Sequence, residues 1–217
     1  MKRRDFSTGL ALSTAALAST TLPAYAQGKK PEEGTDYLTL DKRALTEAPA
    51  GKIEVVEFFW YRCPHCNHFE PELNAWLKNL PKDVHFRRVP AAFQEAVFVP
   101  QQRLFYTLEA MGKVEELHSK VFTAIHAEKL NLDTPETITA WVEKQGVNKA
   151  KFLEVYNSFS VATKANKARQ LQDAYKVDGV PALGVAGRYF TSGSLAQTMA
   201  RALNVVDYLV AEVRKGK

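Results

Sequence analysis

The sequence predicts an α/β fold interrupted by an inserted all-helical segment, and three observations carry that expectation. Ile53 to Tyr61 is a run dominated by β-branched and aromatic residues, followed by a helical pattern and a second strand at Val84 to Val89. Between about Val97 and Ala162 the pattern changes to successive short amphipathic helices. Strand signals then return at Pro181 to Val185 and at Arg188 to Phe190, ahead of a closing helix.

The chain begins with an export leader. Lys2, Arg3 and Arg4 form a positive start, Gly9 to about Leu22 carries no charge, and Ala24-Tyr25-Ala26 supplies a small-x-small cleavage pattern. Residues 1–26 are therefore read as a signal peptide. Arg3-Arg4 leaves both the general and the twin-arginine export routes open. The mature chain of about 190 residues has room for one large domain or a domain with an insertion. Its 46% hydrophobic content supports a packed core. The net charge of +5 includes +2 from the leader, and the basic residues are scattered without interleaved aromatics, so no nucleic-acid partner is expected. No later stretch is long enough to span a bilayer. A soluble protein of an oxidising compartment, most simply a bacterial periplasm, is expected.

Residues 27–36, with Pro31 and Gly34, read as a flexible arm, and Tyr37 to Leu40 as a short edge strand. The Ile53–Tyr61 run is too continuously apolar for a strand wet on one face and is expected to be central. A helix opens at the cysteine motif and runs to about Leu80, with Pro71 inside it. Strand, helix and strand then form a βαβ unit, which places the cysteines at the carboxyl end of a strand, where open α/β sheets carry their sites. The helical segment reads as Gln101–Met111, Lys113–Lys129, a helix capped by Asp133 or Thr134 and ending at Gly146, and Lys149–Phe159 capped by Asn148. A helix from about Thr163 to Tyr175 leads back to the sheet. Ala186-Gly187 turns the last two strands, which so short a connection makes antiparallel. A helix from about Ser194 to Val213, striped with Leu195, Met199, Leu203, Val206 and Val210, closes the chain.

Cys63-Pro64-His65-Cys66 contains both cysteines of the chain. A disulfide between them closes too small a loop to staple a fold. Covalent haem attachment requires a histidine where Asn67 stands, and a closed zinc site lacks a second Cys or Cys/His pair to complete Cys63, Cys66 and His68, so no metal is expected. Thiol redox chemistry fits best. A cysteine at a helix N-terminus meets unpaired N–H groups and the positive end of the macrodipole, both of which favour the thiolate. Cys63 is therefore the expected nucleophile and Cys66, one turn inside, the resolving thiol. His65 can stabilise the Cys63 thiolate by charge and by hydrogen bonding. Glu57 is the odd residue in an apolar strand, where a buried carboxylate is costly unless paired or protonated. His68, His85, His118 and His126 read as structural or surface residues.

This layout resembles the thioredoxin superfamily, and within it the DsbA family, over essentially the whole mature chain. The most specific match is Glu57-Phe58-Phe59 followed by Cys63-Pro64-His65-Cys66; Val180-Pro181 stands where the superfamily has its cis-proline loop, and Pro71 where it has a helix-kinking proline. The resemblance implies a thioredoxin-like fold over residues 37–96 and 163–217, with 97–162 as the helical insertion. It implies a dithiol oxidase that needs no cofactor and donates the Cys63–Cys66 disulfide to folding exported proteins bearing free cysteines. It further implies that Glu57 assists proton transfer to the buried thiol, with Arg88 near the position of a basic partner, and that Val180 and Pro181 meet extended substrate. Electrons would leave through a quinone-linked membrane oxidase of the DsbB type. A monomer is expected, and a dedicated isomerase of this compartment is disfavoured because it usually adds a dimerisation domain for which residues 27–36 leave no room. A reductase or isomerase on the same fold, and a binding protein with an idle disulfide, are the competing readings.

Overall fold

The computed structural model describes residues 29–93 and 95–216, so the expected signal peptide lies outside the described residues. Among the described residues, five strands form one mixed sheet in the order β1-β5-β4-β2-β3. Strand β2 (Ile53–Phe59) pairs in parallel with β3 (Val84–Pro90) through helix α1 (Pro64–Leu77), the expected βαβ unit. On its other side β2 runs antiparallel to β4 (Ala182–Val185), which pairs antiparallel with β5 (Tyr189–Ser192). The edge strand β1 (Leu38–Thr39) is antiparallel to β5.

The central position of β2 follows from its composition. Val55 packs with Phe69 and Leu73 of α1 and with Val206 and Leu209 of the closing helix, while Val56 and Phe58 face the opposite core with Leu104 and Tyr175. Every residue of β2 after Ile53 is buried. Apolar side chains on both faces exclude a strand wet on one side.

Helices α2 (Glu95–Ala110), α3 (Val114–His126), α4 (Pro135–Lys144) and α5 (Lys149–Tyr156) form the helical segment. Thr134 and Asn148 cap α4 and α5 as expected, each side chain accepting the N–H three residues on. Several ends differ from expectation. Helix α1 stops at Leu77 rather than Leu80. Helix α2 starts six residues before Gln101 and contains Pro100. Helix α6 (Phe159–Ala174) begins at Phe159, capped by Ser158, so it runs through residue 162 without a break. The closing helix is two elements, α7 (Gly193–Ala196) and α8 (Met199–Arg214), separated where Gln197 adopts φ 70°. The apolar stripe crosses that break, which is why periodicity alone joined the two.

The turn at Ala186-Gly187 has both residues at positive φ, 53° and 64°, the twist that a tight antiparallel hairpin needs. The end of the expected flexible arm is tied down: Asp36 is buried, accepts from Arg201 Nε and Nη2 at 2.7 and 2.9 Å, and its carbonyl accepts from Thr191 Oγ1 at 2.7 Å. Among the described residues no helix is long and apolar enough to cross a membrane.

Candidate active site

Strand β2 ends at Phe59, and the chain turns through Trp60, Tyr61 and Arg62 before Cys63 caps α1. Cys63 is extended (φ −73°, ψ 117°), Pro64 occupies the first helical turn, where a missing N–H costs nothing, and the Cys66 N–H reaches Cys63 Sγ at 3.4 Å. The nucleophile candidate is thus its own helix's N-cap. Both cysteines are free thiols. Cys66 is fully buried, whereas Cys63 keeps 7% exposure.

Burial and hydrogen bonding separate the two thiols. Cys63 is pulled down to about 6, first by the hydrogen bond from the Cys66 thiol, then, against the opposing effect of burial, by the N–H groups of Cys66 and His65 and the charge of His65. Burial pushes the Cys66 thiol far up, and the neighbouring Cys63 adds to the rise. One sulfur is therefore ready to be a thiolate at neutral pH and its partner is a thiol.

His65 is exposed on the first turn of α1. It lines a groove of about 410 Å³ together with Val180, Pro181, Gln197 and Met199. Val180-Pro181 is a cis peptide, and the Val180 carbonyl accepts from Cys63 Sγ at 3.3 Å. Cys63, His65, Val180 and Pro181 are thus brought together at one end of the sheet.

Glu57 lies lower in the same strand and is fully buried. Arg88, opposite it in the parallel register, places Nε 3.2 Å from Glu57 Oε2, yet off the hydrogen-bonding line, and neither carboxylate oxygen has a hydrogen-bond partner among the described residues. Burial, only partly offset by Arg88, pushes the Glu57 carboxyl up to about 8. In its ionised form it raises the Cys66 thiol further. Glu57 is thus an acid that keeps its proton at neutral pH, within electrostatic range of the buried Cys66 thiol.

A buried polar group not expected from sequence adjoins this pair. Glu70, one helical turn beyond Cys66, contacts Arg88 Nη2 and His118 Nε2, each at 3.3 Å, and His118 Nδ1 lies 2.9 Å from the Tyr61 hydroxyl. His118, read from sequence as structural or surface, is buried in the site's wall. The i, i+4 spacing of Cys66 and Glu70, which puts both on one helix face, is the signal that could have found Glu70; nothing local to His118 identifies its partner 48 residues away. The helical segment also fixes the loop before the cysteines. His126 Nε2 bonds the Tyr61 carbonyl at 2.8 Å, and Arg62 is paired with Asp133.

Among the described residues, no cluster of three or more His, Cys, Asp or Glu side chains is arranged to hold a metal ion. The arrangement offers a thiol pair with unequal proton affinities, a neutral acid beside the buried thiol and an open groove beside the accessible one.

Comparison with known proteins adds to this geometry. The family model described as a DSBA-like thioredoxin domain matches residues 88–204. The chain is similar to the thiol:disulfide interchange protein DsbA of Bordetella parapertussis, with 45% identity over 205 residues, covering 94% of this chain and 96% of the relative. Among solved structures it is similar to Pseudomonas aeruginosa DsbA, with a TM-score of 0.80 and 42% identity over 84% of this chain and 94% of that one. It is also similar to the oxidoreductase DsbA of Xylella fastidiosa, with a TM-score of 0.79 and 33% identity over 85% and 98% of the two chains.

Proposed function

The chain belongs to the DsbA family of thioredoxin-fold thiol:disulfide oxidoreductases, and from that premise we propose that it is a periplasmic oxidase that donates the Cys63–Cys66 disulfide to folding exported proteins. The observation that carries this direction is the inequality of the two sulfurs. A thiol held down to about 6 makes the reduced enzyme favourable, so the disulfide is readily given away.

In the proposed cycle a substrate thiolate attacks Cys63 Sγ of the oxidised enzyme. The enzyme S–S bond breaks, a mixed disulfide forms through Cys63, and Cys66 leaves with the electron pair. Its buried sulfur cannot stay charged cheaply, and Glu57 is the acid that supplies the proton. A second substrate thiolate then attacks the substrate sulfur, which becomes part of the product disulfide, and Cys63 departs as a stabilised thiolate. The enzyme is left as the dithiol.

Val180 and Pro181 form the substrate-binding edge in this reading. They line the groove beside Cys63, where an extended chain can lie within reach of the Cys63 sulfur that its thiolate attacks, without its sequence being read. Residues 37–96 and 163–217 carry the reaction, and 97–162 stiffen its wall through His118 and His126. The leader in residues 1–26 supports the periplasmic assignment. Reoxidation falls to a quinone-linked membrane partner of the DsbB type, and the enzyme acts as a monomer.

Cys66→Ser tests the assignment of roles. The variant is expected to accumulate mixed disulfides through Cys63 that reductant releases, and Cys63→Ser to accumulate none. If Cys66→Ser traps nothing while the wild type oxidises substrate, the two sulfurs are misassigned.

A further inference from the structure

Glu57 on β2 and Glu70 on α1 are both buried, and Arg88 on β3 is the cation beside each of them. They do not share it equally. Arg88 Nη2 lies 3.3 Å from both oxygens of Glu70 and 3.1 Å from Asn74 Oδ1, all as hydrogen bonds. Toward Glu57 it presents only Nε, out of line, and that Nε bonds to nothing among the described residues.

Glu70 has further donors. Asn74 Nδ2 reaches it at 3.2 Å and His118 Nε2 at 3.3 Å. The Glu70 carboxylate, which takes donors from Arg88 and Asn74 and can only accept, sets the tautomer: the ring's one proton sits on Nε2 toward Glu70, and the Tyr61 hydroxyl, 2.9 Å from Nδ1, donates to it. Phe59 and Phe122 lie edge-on to that ring at 5.2 and 5.3 Å, an apolar setting that favours neutral imidazole. With His118 neutral, two carboxylates and one guanidinium leave one negative charge too many for so dry a place. One proton removes it.

We infer that Glu57 and Glu70 share a single proton, and that the hydrogen bonds from Arg88, Asn74 and His118 make Glu70 the anion, leaving the proton on Glu57. Glu70 and His118 are thereby positioning residues for the reaction, acting through Glu57. The inference rests on the reading of Glu57 as the proton partner of that thiol. The other titratable groups facing the pair are Cys63, Cys66 and Tyr61. The direction of each shift agrees: Glu70 lies below the usual carboxylate range, because bonds to His118 and the Arg88 charge outweigh its burial, while burial takes His118 down.

The test is a carboxyl carbon NMR titration of the reduced, glutamate-labelled protein. Glu57 is expected to titrate near 8 in the wild type. Glu70→Gln removes the competing anion and frees Arg88, and lowers that midpoint by about one to two pH units. His118→Leu and Asn74→Ala raise the proton affinity of Glu70 instead, and move the Glu57 midpoint the same way by less. An unmoved midpoint in Glu70→Gln overturns the inference; should that variant not fold, an unmoved midpoint in Asn74→Ala, at a half-buried position on α1, does so. A shifted midpoint with unchanged exchange rates upholds the proton sharing and removes Glu57 from the reaction, so the two failures are distinct.

Discussion

Cys63 Sγ accepts the backbone N–H of Cys66 at 3.4 Å, so the sulfur that leaves substrate last is also the cap of the active-site helix. The thiolate is stabilised where it is generated, by groups that need no rearrangement. Three of those groups lie within the motif itself: the Cys66 thiol and the N–H groups of residues 65 and 66.

The reduced protein is expected to show ultraviolet thiolate absorbance that titrates near pH 6, from a single sulfur, and Cys63→Ser abolishes it. His65→Ala raises the midpoint, because it removes a nearby positive charge but leaves the backbone donors in place. A wild-type midpoint in the ordinary thiol range contradicts the assignment of Cys63.

Redox state and pH are linked through this thiolate. Cys63 has a folded value near 6 against about 9 unfolded, so its contribution to the reduced form is absent below 6, grows between 6 and 9, and is complete above 9. Urea unfolding of reduced and oxidised protein across that range is expected to show the reduced form gaining relative stability as pH rises. A constant difference removes the thiolate from the balance.

Glu57 acts with the opposite sign. Its folded value near 8 exceeds the unfolded one, so its stabilising contribution is complete at low pH and is lost as pH rises toward 8. Glu57→Gln is therefore expected to stabilise the fold at pH 9 relative to pH 5 by a few kcal/mol, on the order of the cost of a buried unpaired carboxylate. It also slows reduction of the enzyme disulfide by thiols. Equal unfolding shifts at both pH values sink the first half, and unchanged stopped-flow kinetics the second.

Gly184 lies on β4, opposite Val56 in the antiparallel pairing with β2. A Cβ there would clash with the Tyr175 ring and meet Val56 Cγ2 at 2.8 Å. Gly184→Ala is expected to cost about 1–3 kcal/mol as the ring is displaced. Thermal unfolding measures it, and a neutral result shows that Tyr175 relocates freely.

The parts of the fold that read directly from sequence are those set by local rules. Continuous apolar residues made β2 central, Thr134 and Asn148 began their helices, and Ala186-Gly187 turned the hairpin. The break between α7 and α8 was hidden because Gln197 takes a left-handed conformation under an uninterrupted apolar stripe. Pro100 lies inside α2, where local signals placed a boundary. In the site, the cysteines and His65 were legible as a motif, and Glu57 as a charge out of place. Glu70, Asn74 and His118 were not, because their meaning depends on Arg88, which β3 brings to them across the sheet edge.

The central claim is that the motif donates its disulfide, and the redox equilibrium with glutathione tests it most directly. The protein is expected to stay largely reduced in glutathione mixtures oxidising enough to keep a thioredoxin-like pair as a disulfide, giving a potential well above that of thioredoxin, about −270 mV. A potential at or below that value makes the protein a reductase and contradicts the account.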